Sequence, residues 1–261
     1  MTREQYLLDN QQVEAGQRFD ALGTLFNPST FRHMVSIGLS AGWRAWEIGA
    51  GGPTVPAWIA DQTKSHVLAT DIDTTWLDAA TDDFVVRRHD IGTELAPDHA
   101  FDLVHARLVL VHVPQRSEAL ATMVDALRPG GWLLLEEADP GLQPLACPDD
   151  HGPADELANR LKLAFRTLMA ERGVDLSFGR TLPRLLRAAG LVDVQADAYF
   201  PMGGPTVDRL ERATVEQIRE RLIAAHLASA EEIEQHLANV ATGQLDLATS
   251  PMVSAWGRKP E

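Results

Sequence analysis

Short apolar segments that recur between residues 43 and 138 constrain the fold of this chain most strongly. Segments whose apolar residues repeat at helical spacing separate them, at 54–62, 74–80 and 115–128. The apolar segments themselves are 43–49, 66–71, 84–90, 101–106 and 131–138. Strands that alternate with helices in this rhythm form parallel sheets with crossover connections. The sequence therefore predicts an α/β fold with a doubly wound sheet.

The regions on either side of these segments predict mainly helices. Two helices are expected to begin at capping boxes, one at Thr214 and one at Ser229, because each is followed by Gln or Glu three residues later. The break between the two N-terminal helices is predicted at Asn27-Pro28. The other predicted elements are two short amphipathic helices within 17–39, helices around 157–168 and over 181–191, and strands over 192–200 and 252–257.

The length and apolar content suit one decorated domain better than two independent ones. The chain has 261 residues, and 45% of them are apolar, which is enough to bury a substantial core. We therefore expect a single domain over 1–261. Its core would comprise 41–139, 181–200 and 250–258, and a helical cap would comprise 1–40, 140–180 and 201–249.

Charge and cysteine content restrict the expected partners and location. Asp and Glu outnumber Lys and Arg by 37 to 23, and the net charge of -14 would repel nucleic acids and anionic membranes. Cys147, the single cysteine, excludes an internal disulfide and a thiolate cluster, so we expect a cytoplasmic chain without a metal site. Neither a signal sequence nor an apolar run of about 18 residues is present. The apolar helix at 157–169 would suit a homodimer interface or a pocket.

The segment EIGAGGP, residues 47–53, places three glycines between a predicted strand and a predicted helix. Such a turn brings free backbone N–H groups and the positive end of a helix dipole toward a ligand. Asp71 ends the second predicted strand, about 22 residues after Gly49, where a carboxylate can accept both hydroxyls of a ribose. The pattern therefore favours a nucleotide-like ligand.

Two classes of ribose-bearing cofactor use this arrangement. A dinucleotide fingerprint that starts at Gly49 needs a third glycine at the position of Thr54, which weakens that interpretation. Glu47 would place a costly charge at a strand end unless it had a cationic partner. The ammonium group of an amino-acid moiety on the ligand would supply one.

The loop resembles that of the class I S-adenosylmethionine-dependent methyltransferases. EIGAGG fits their E/D-x-G-x-G-x-G pattern through Gly51, with Pro53 where the last glycine usually falls. Further similar segments follow at the expected intervals: LATDID (68–73), RRHD (87–90), FDLVHARLVLVHVP (101–114) and LRPGGWLLLEE (127–137). The resemblance implies a Rossmann-like sheet of seven strands, with the last strand antiparallel and formed by 252–257 beside 192–200.

The resemblance also implies a set of residues that bind S-adenosylmethionine. Those at the methionine end would be Glu47, Gly49, Ala50 and Gly51, with Ala106 and Arg107 beneath the methionine moiety. Asp71 would hold the ribose, and those around the adenine would be Ile72, Asp90 and Ile91.

The expected activity is transfer of a methyl group to an O, N or C atom of a small-molecule acceptor, with specialised metabolism as one setting. The acceptor pocket would be enclosed by 1–40, 140–180 and 201–245. A general base is optional in this chemistry, and the candidates are His33 and His151 in the variable segments and His112 near the fourth strand.

Purely structural roles of single residues, and two other classes of protein, also fit parts of the sequence. A structural role suits His105, and of Glu136 and Glu137 one is expected to be solvated or paired with an arginine. A nicotinamide oxidoreductase would share the loop and Asp71. A non-catalytic protein that binds S-adenosylmethionine on the same scaffold is the third possibility.

Overall fold

The computed structural model describes residues 13–77 and 83–261 and divides the chain into two compact units. The sheet unit comprises Asn27–Ala138, Phe178–Tyr199 and Met252–Glu261. The helical unit comprises Asp139–Ser177, Phe200–Pro251 and the described N-terminal residues up to Phe26. That the two units act as the core and cap of one domain stays a prediction.

The sheet unit contains one seven-stranded sheet with the strand order β3-β2-β1-β4-β5-β7-β6. Strands β1 to β5 pair in parallel, and β7 runs antiparallel to both of its neighbours, β5 and β6. The predicted Rossmann-like sheet with an antiparallel last strand is confirmed. The strands are β1 (Ala45–Ile48), β2 (Val67–Asp71), β3 (Val85–Arg88), β4 (Phe101–Arg107), β5 (Leu127–Ala138), β6 (Val192–Tyr199) and β7 (Met252–Arg258).

The central strands are buried along their length, as their continuous apolar runs require. Trp46 is fully buried, and its indole N–H donates to Thr70 Oγ1 at 2.9 Å, so burial leaves no unpaired donor on this ring. Leu103 and Leu134 on neighbouring strands belong to the same apolar cluster as Trp256. The tryptophans of the strands therefore serve packing.

The helices of the sheet unit follow the predicted segments with small shifts of their ends. They are α2 (Thr54–Thr63), α3 (Arg116–Ala126) and α5 (Leu182–Ala188), with 3₁₀ helices at Leu110–His112 and Gly179–Thr181. In the segment 74–80, which was predicted to be helical, the described part forms a turn in which Leu77 N donates to Thr74 O at 2.8 Å. The remainder of that segment lies outside the described residues.

The predicted break at Asn27-Pro28 is wrong, because α1 runs without interruption from Val13 to Ser36. A proline inside a helix removes one hydrogen bond and costs about 3 kcal/mol. Side chains on both sides of it are buried, among them Phe26 and Met34. Their burial offsets this cost, which a reading of local propensity does not include.

The helical unit contains α4 (Pro153–Glu171), α6 (Pro205–Ala224) and α7 (Ala230–Ala241), whose apolar faces form a common core. The capping box at Ser229 is confirmed: its hydroxyl accepts from Glu232 N at 3.2 Å, and its own N–H donates to the Glu232 carboxylate at 3.0 Å. The one at Thr214 is wrong, because Thr214 lies inside α6 and its hydroxyl donates to Leu210 O at 2.7 Å. The same sequence pattern occurs inside helices, where the preceding backbone is already helical.

Among the helices that the structure describes, none combines the length and the apolar character needed to cross a membrane.

Candidate functional site

The glycine loop between β1 and α2 adopts a backbone that side chains would disturb. Gly49 and Gly51 both have a φ of 62°, in the left-handed region that favours glycine. A Cβ on Gly49 would lie only 2.3 Å from Cγ2 of Val109, a residue that follows β4. Glycine is therefore favoured at position 49 for two reasons, one conformational and one steric.

Asp71, at the end of β2, contacts this loop directly. Its Oδ2 accepts from Gly51 N at 2.9 Å, and its Oδ1 accepts from Asp73 N at 3.0 Å. Burial raises the pKa of the Asp71 carboxyl, although these backbone donors act against the rise. Each carboxylate oxygen can accept a second hydrogen bond, so the residue can still receive the hydroxyls of a ribose.

The three residues proposed for the adenine differ in exposure. Asp90 Oδ1 accepts from Gly92 N at 2.9 Å, which closes a turn after β3. Ile91 is buried, whereas the side chain of Ile72 is 53% exposed and is free to pack against a flat ring. The backbone N–H of His89 donates to Asp71 O at 2.9 Å and joins this segment to the end of β2.

The cationic partner of Glu47 is a side chain of the protein itself, that of His105. His105 lies opposite it on the neighbouring strand β4, and His105 Nδ1 is 2.5 Å from Glu47 Oε2. The other ring nitrogen, Nε2, is 3.3 Å from Glu136 Oε2 on β5. Desolvation opposes the charged form of His105, but the two carboxylates outweigh it and raise its pKa to about 9.

Glu136 is buried and fully engaged, contrary to a solvated role. It accepts from the hydroxyls of Thr30 and Ser254, the latter at 2.7 Å. Its Oε1 lies 3.5 Å from Nδ1 of His33. Burial opposes ionisation, yet the hydrogen bonds from His105 and His33 hold the pKa of Glu136 well below its usual range.

Glu137 is buried as well, so neither glutamate is solvated, although arginine charges act on both of them, Arg107 on Glu136 and Arg116 on Glu137. Its Oε1 accepts from three successive backbone N–H groups, those of Val109, Leu110 and Val111. Desolvation outweighs these donors and raises the pKa of Glu137 to about 8. Both glutamates end a strand between β4 and β7, where chain segments on either side cover them.

Arg107 and Ala106 end β4. The guanidinium of Arg107 donates to Thr30 Oγ1 and to Asn27 Oδ1, each at 3.0 Å, and both acceptors lie on α1. Ala106 is buried. The charge of Arg107 is thus fixed in place near the end of the strand that carries His105.

The three candidate bases lie in different settings. His33 was expected in the variable cap, but it belongs to the sheet unit and is completely buried, with Nε2 3.0 Å from Asp197 Oδ1. The carboxylates of Glu136 and Asp197, which accept hydrogen bonds from the ring, outweigh desolvation and raise the pKa of His33. His112 is half-buried in the 3₁₀ helix after β4. His151 belongs to the helical unit and is exposed, and its backbone N–H donates to Asp155 Oδ2 at 3.2 Å.

Cys147, also in the helical unit, is buried, and burial raises the pKa of its thiol to about 12. A thiol in this state is unreactive near neutral pH, because the thiolate is the nucleophile.

The joint role of His105 and Glu136 was not predicted from the sequence. Both lie in largely buried strands, where an ionised side chain is costly without a partner, and this cost was the signal that the sequence offered. The partners could not be identified without the register of the sheet, which pairs Glu47 with His105 across two strands.

The comparisons with known proteins agree with this geometry. The family model described as "Methyltransferase domain" matches residues 46–135. The phosphoethanolamine N-methyltransferase of Triticum aestivum is 23% identical over 216 residues, which cover 80% of this chain and 39% of that protein. Methyltransferase str2 of Strobilurus tenacellus is 31% identical over 196 residues, or 70% of this chain and 66% of the relative. The chain thus spans about two fifths of the length of the plant enzyme.

A solved structure shares the fold. Phosphoethanolamine N-methyltransferase 2 of Haemonchus contortus, in complex with S-adenosyl-L-methionine, superimposes with a TM-score of 0.60 and 17% identity, covering 100% of this chain and 60% of that one. The matched family model, the relatives and the fold agree with the loop and its carboxylate. The chain belongs to the class I S-adenosylmethionine-dependent methyltransferases.

Proposed function

We propose that this chain transfers a methyl group from S-adenosylmethionine to a small-molecule acceptor. The observation that carries the proposal is the hydrogen bond between Gly51 N and Asp71 Oδ2, which joins a bare glycine turn to a carboxylate at the end of the next strand. This combination suits a ligand that carries a ribose and approaches main chain closely.

The residues proposed to hold the cofactor fit its chemical groups. Asp71 would accept from the ribose hydroxyls, and Glu47 would face the ammonium group of the methionine end. The exposed side chain of Ile72 would pack on the adenine. The full proposed set is Glu47, Gly49, Ala50, Gly51, Asp71, Ile72, Asp90, Ile91, Ala106 and Arg107.

When bound, the cofactor supplies a methyl group that its sulfonium has already activated. The protein's part is then to hold the acceptor atom in line and to exclude water, and such positioning lowers a barrier by about 7 to 11 kcal/mol. An amine can release its proton to water after transfer, whereas a weakly acidic hydroxyl needs a base. His112, His33 and His151 stay the candidates for such a base.

The acceptor is proposed to be a small amine or hydroxyl compound. One similar protein carries a name that fits this class, the phosphoethanolamine N-methyltransferase of Triticum aestivum. The net charge of -14 disfavours nucleic acids and favours neutral or cationic acceptors. A cytoplasmic location and a homodimer are part of the same proposal.

Isothermal titration with S-adenosylmethionine, S-adenosylhomocysteine and NADH tests the cofactor. We expect both adenosyl ligands to bind and NADH to give no heat. Transfer of labelled methyl groups to a panel of amines and hydroxyl compounds, phosphoethanolamine among them, then tests the reaction. Binding of NADH alone would favour an oxidoreductase. Binding of S-adenosylmethionine without transfer to any acceptor would favour a non-catalytic binding protein.

A further inference from the structure

A continuous chain of ionisable groups, buried in all but its last member, starts two residues before the first glycine of the loop. It begins at Glu47 on β1 and passes His105 on β4, Glu136 on β5 and His33 on α1. It ends at Asp197 on β6, whose side chain is 37% exposed. Each member contacts the next, with separations of 2.5, 3.3, 3.5 and 3.0 Å between the nearest nitrogen and oxygen atoms described above.

The geometry around His105 defines its protonation. Each of its two ring nitrogens faces a carboxylate oxygen, one of Glu47 and one of Glu136. A neutral imidazole has only one N–H, so it can donate to one carboxylate and would leave the other opposite a lone pair. Only the imidazolium donates to both. His105 is therefore the cation that compensates two buried carboxylates.

The contact with His105 also fixes the orientation of Glu47. The hydrogen bond uses Oε2, and the second oxygen, Oε1, can accept from a ligand. The histidine ring is itself held from the far side by Glu136, which Ser254 and Thr30 anchor. Because Thr30 also accepts from Arg107, the same network fixes another residue of the proposed cofactor site.

We propose that His105 is a positioning residue that holds the ionised Glu47 carboxylate in place for the ammonium group of the cofactor. The proposal rests on the proposed cofactor site, and it assigns to His105 a function beyond packing. Without His105, the Glu47 carboxylate would lose the donor that fixes the direction in which its second oxygen faces. The ammonium group would then meet a carboxylate that is no longer held in place.

Three substitutions separate the two contacts of the ring. In His105→Asn the amide nitrogen lies near the position of Nδ1, so a donor to Glu47 can be kept. In His105→Gln the amide lies one bond further out, near the position of Nε2, and faces Glu136. His105→Leu removes both donors. Asn and Gln both remove the charge and keep one hydrogen bond, so each serves as the matched control of the other.

Titration with two kinds of ligand gives the readout. S-Adenosylmethionine and S-adenosylhomocysteine carry the ammonium group, whereas 5′-methylthioadenosine has the same nucleoside without it. We expect His105→Leu and His105→Gln to weaken binding of the first two at least about tenfold, the effect of losing one charge-assisted hydrogen bond. His105→Asn should recover most of that loss. The affinity for 5′-methylthioadenosine should stay within about twofold of the wild type in every folded variant.

A purely structural role predicts a different pattern. Affinities for all three ligands would then fall together with thermal stability, and Asn would be no better than Gln. That result, or unchanged affinity for S-adenosylmethionine in His105→Leu, would overturn the proposal. If His105→Leu does not fold, the comparison of His105→Asn with His105→Gln still decides between a positioning role and a purely structural one. Failure of the proposed function is distinguishable, because the wild-type chain would then bind neither S-adenosylmethionine nor S-adenosylhomocysteine.

Discussion

Asp71 shows how one side chain can link local structure to ligand chemistry. Its two oxygens accept from the backbone of Gly51 and Asp73, so the carboxylate helps to shape the turn. The same oxygens have further lone pairs for a ribose. Structure and binding therefore depend on the same atoms, and a test has to separate them.

Replacement of Asp71 is predicted to weaken the binding of S-adenosylmethionine. Asp71→Ala removes the acceptor of the ribose hydroxyls, and each hydrogen bond to a charged group contributes about 1.5 to 3 kcal/mol, so the affinity should fall at least tenfold. Asp71→Asn keeps one acceptor oxygen for Gly51, so its affinity should lie between those of the wild type and Asp71→Ala. Asp61→Ala is the control, because this exposed carboxylate on α2 pairs with its neighbours Lys64 and Gln62. Wild-type affinity in Asp71→Ala would show that the ribose binds elsewhere.

Individual residues could be predicted from the sequence where spacing alone decides. The glycines and Asp71 lie at intervals that a strand, a turn and a crossover helix fix, and the structure places them in contact. The partner of Glu47 could not be predicted, because it depends on which residue of a strand 58 positions away lies opposite.

At the scale of elements, the passage from β1 through the glycine loop to α2 depends on the segment after β4. Val109 lies against Gly49, while its backbone N–H is held by Glu137. Three residues further along, His112 is the last residue of the 3₁₀ helix, whose first backbone N–H donates to Glu137. The segment after β4 and the end of β5 thus help to determine the shape of the glycine loop.

Gly49→Ala is predicted to destabilise this loop. A side chain there would face both an unfavourable φ and the contact with Val109, and strain of each kind costs about 1 to 3 kcal/mol of unfolding free energy. Gly52→Ala in the same loop is the control, because its φ lies outside the left-handed region and its Cβ would meet no atom within 4 Å. Chemical denaturation of both variants measures the difference. Equal stabilities would contradict the geometry of the loop.

The elements themselves were predictable to different degrees. All seven strands were expected, because apolar runs between turn residues carry a strong signal. The start of β5 was not, since the strand begins at Leu127 and not at 131, with an irregularity in its pairing with β4 where Gly130 has a φ of 74°. The break at Pro28 and the capping box at Thr214 failed because both rules describe local preference, which burial and the surrounding helix override.

At the scale of the whole molecule, buried ionisable groups make stability depend on pH. The pKa of Glu137 rises from 4.5 to about 8, and that of His105 from 6.5 to about 9. In both windows the folded chain binds more protons than the unfolded chain, so the free energy of unfolding falls as pH increases. Glu136, whose pKa is low in the folded chain, acts in the opposite direction. It lowers the free energy of unfolding only as pH falls below 4.5, the ordinary pKa of a glutamate.

We therefore predict that the chain loses stability between about pH 6.5 and 9, by about 1 kcal/mol per pH unit for each titrating group. Glu137→Gln should flatten the decline below pH 8, because a neutral amide cannot ionise. Denaturation midpoints at pH 6.5, 8 and 9 measure this. Glu118→Gln, at an exposed position on α3, is the control and should leave the slope unchanged. A wild-type stability that increases across this range would contradict the assigned states of Glu137 and His105.

The central claim is that the glycine turn and the carboxylate at the end of β2 hold S-adenosylmethionine. A crystal structure of the chain with S-adenosylhomocysteine tests it most directly. We predict ribose hydroxyls within about 2.5 to 3.2 Å of the Asp71 carboxylate, with the ammonium group on the side of Glu47. Density for the nucleoside at another place, with Asp71 in contact with no ribose hydroxyl, would contradict the account.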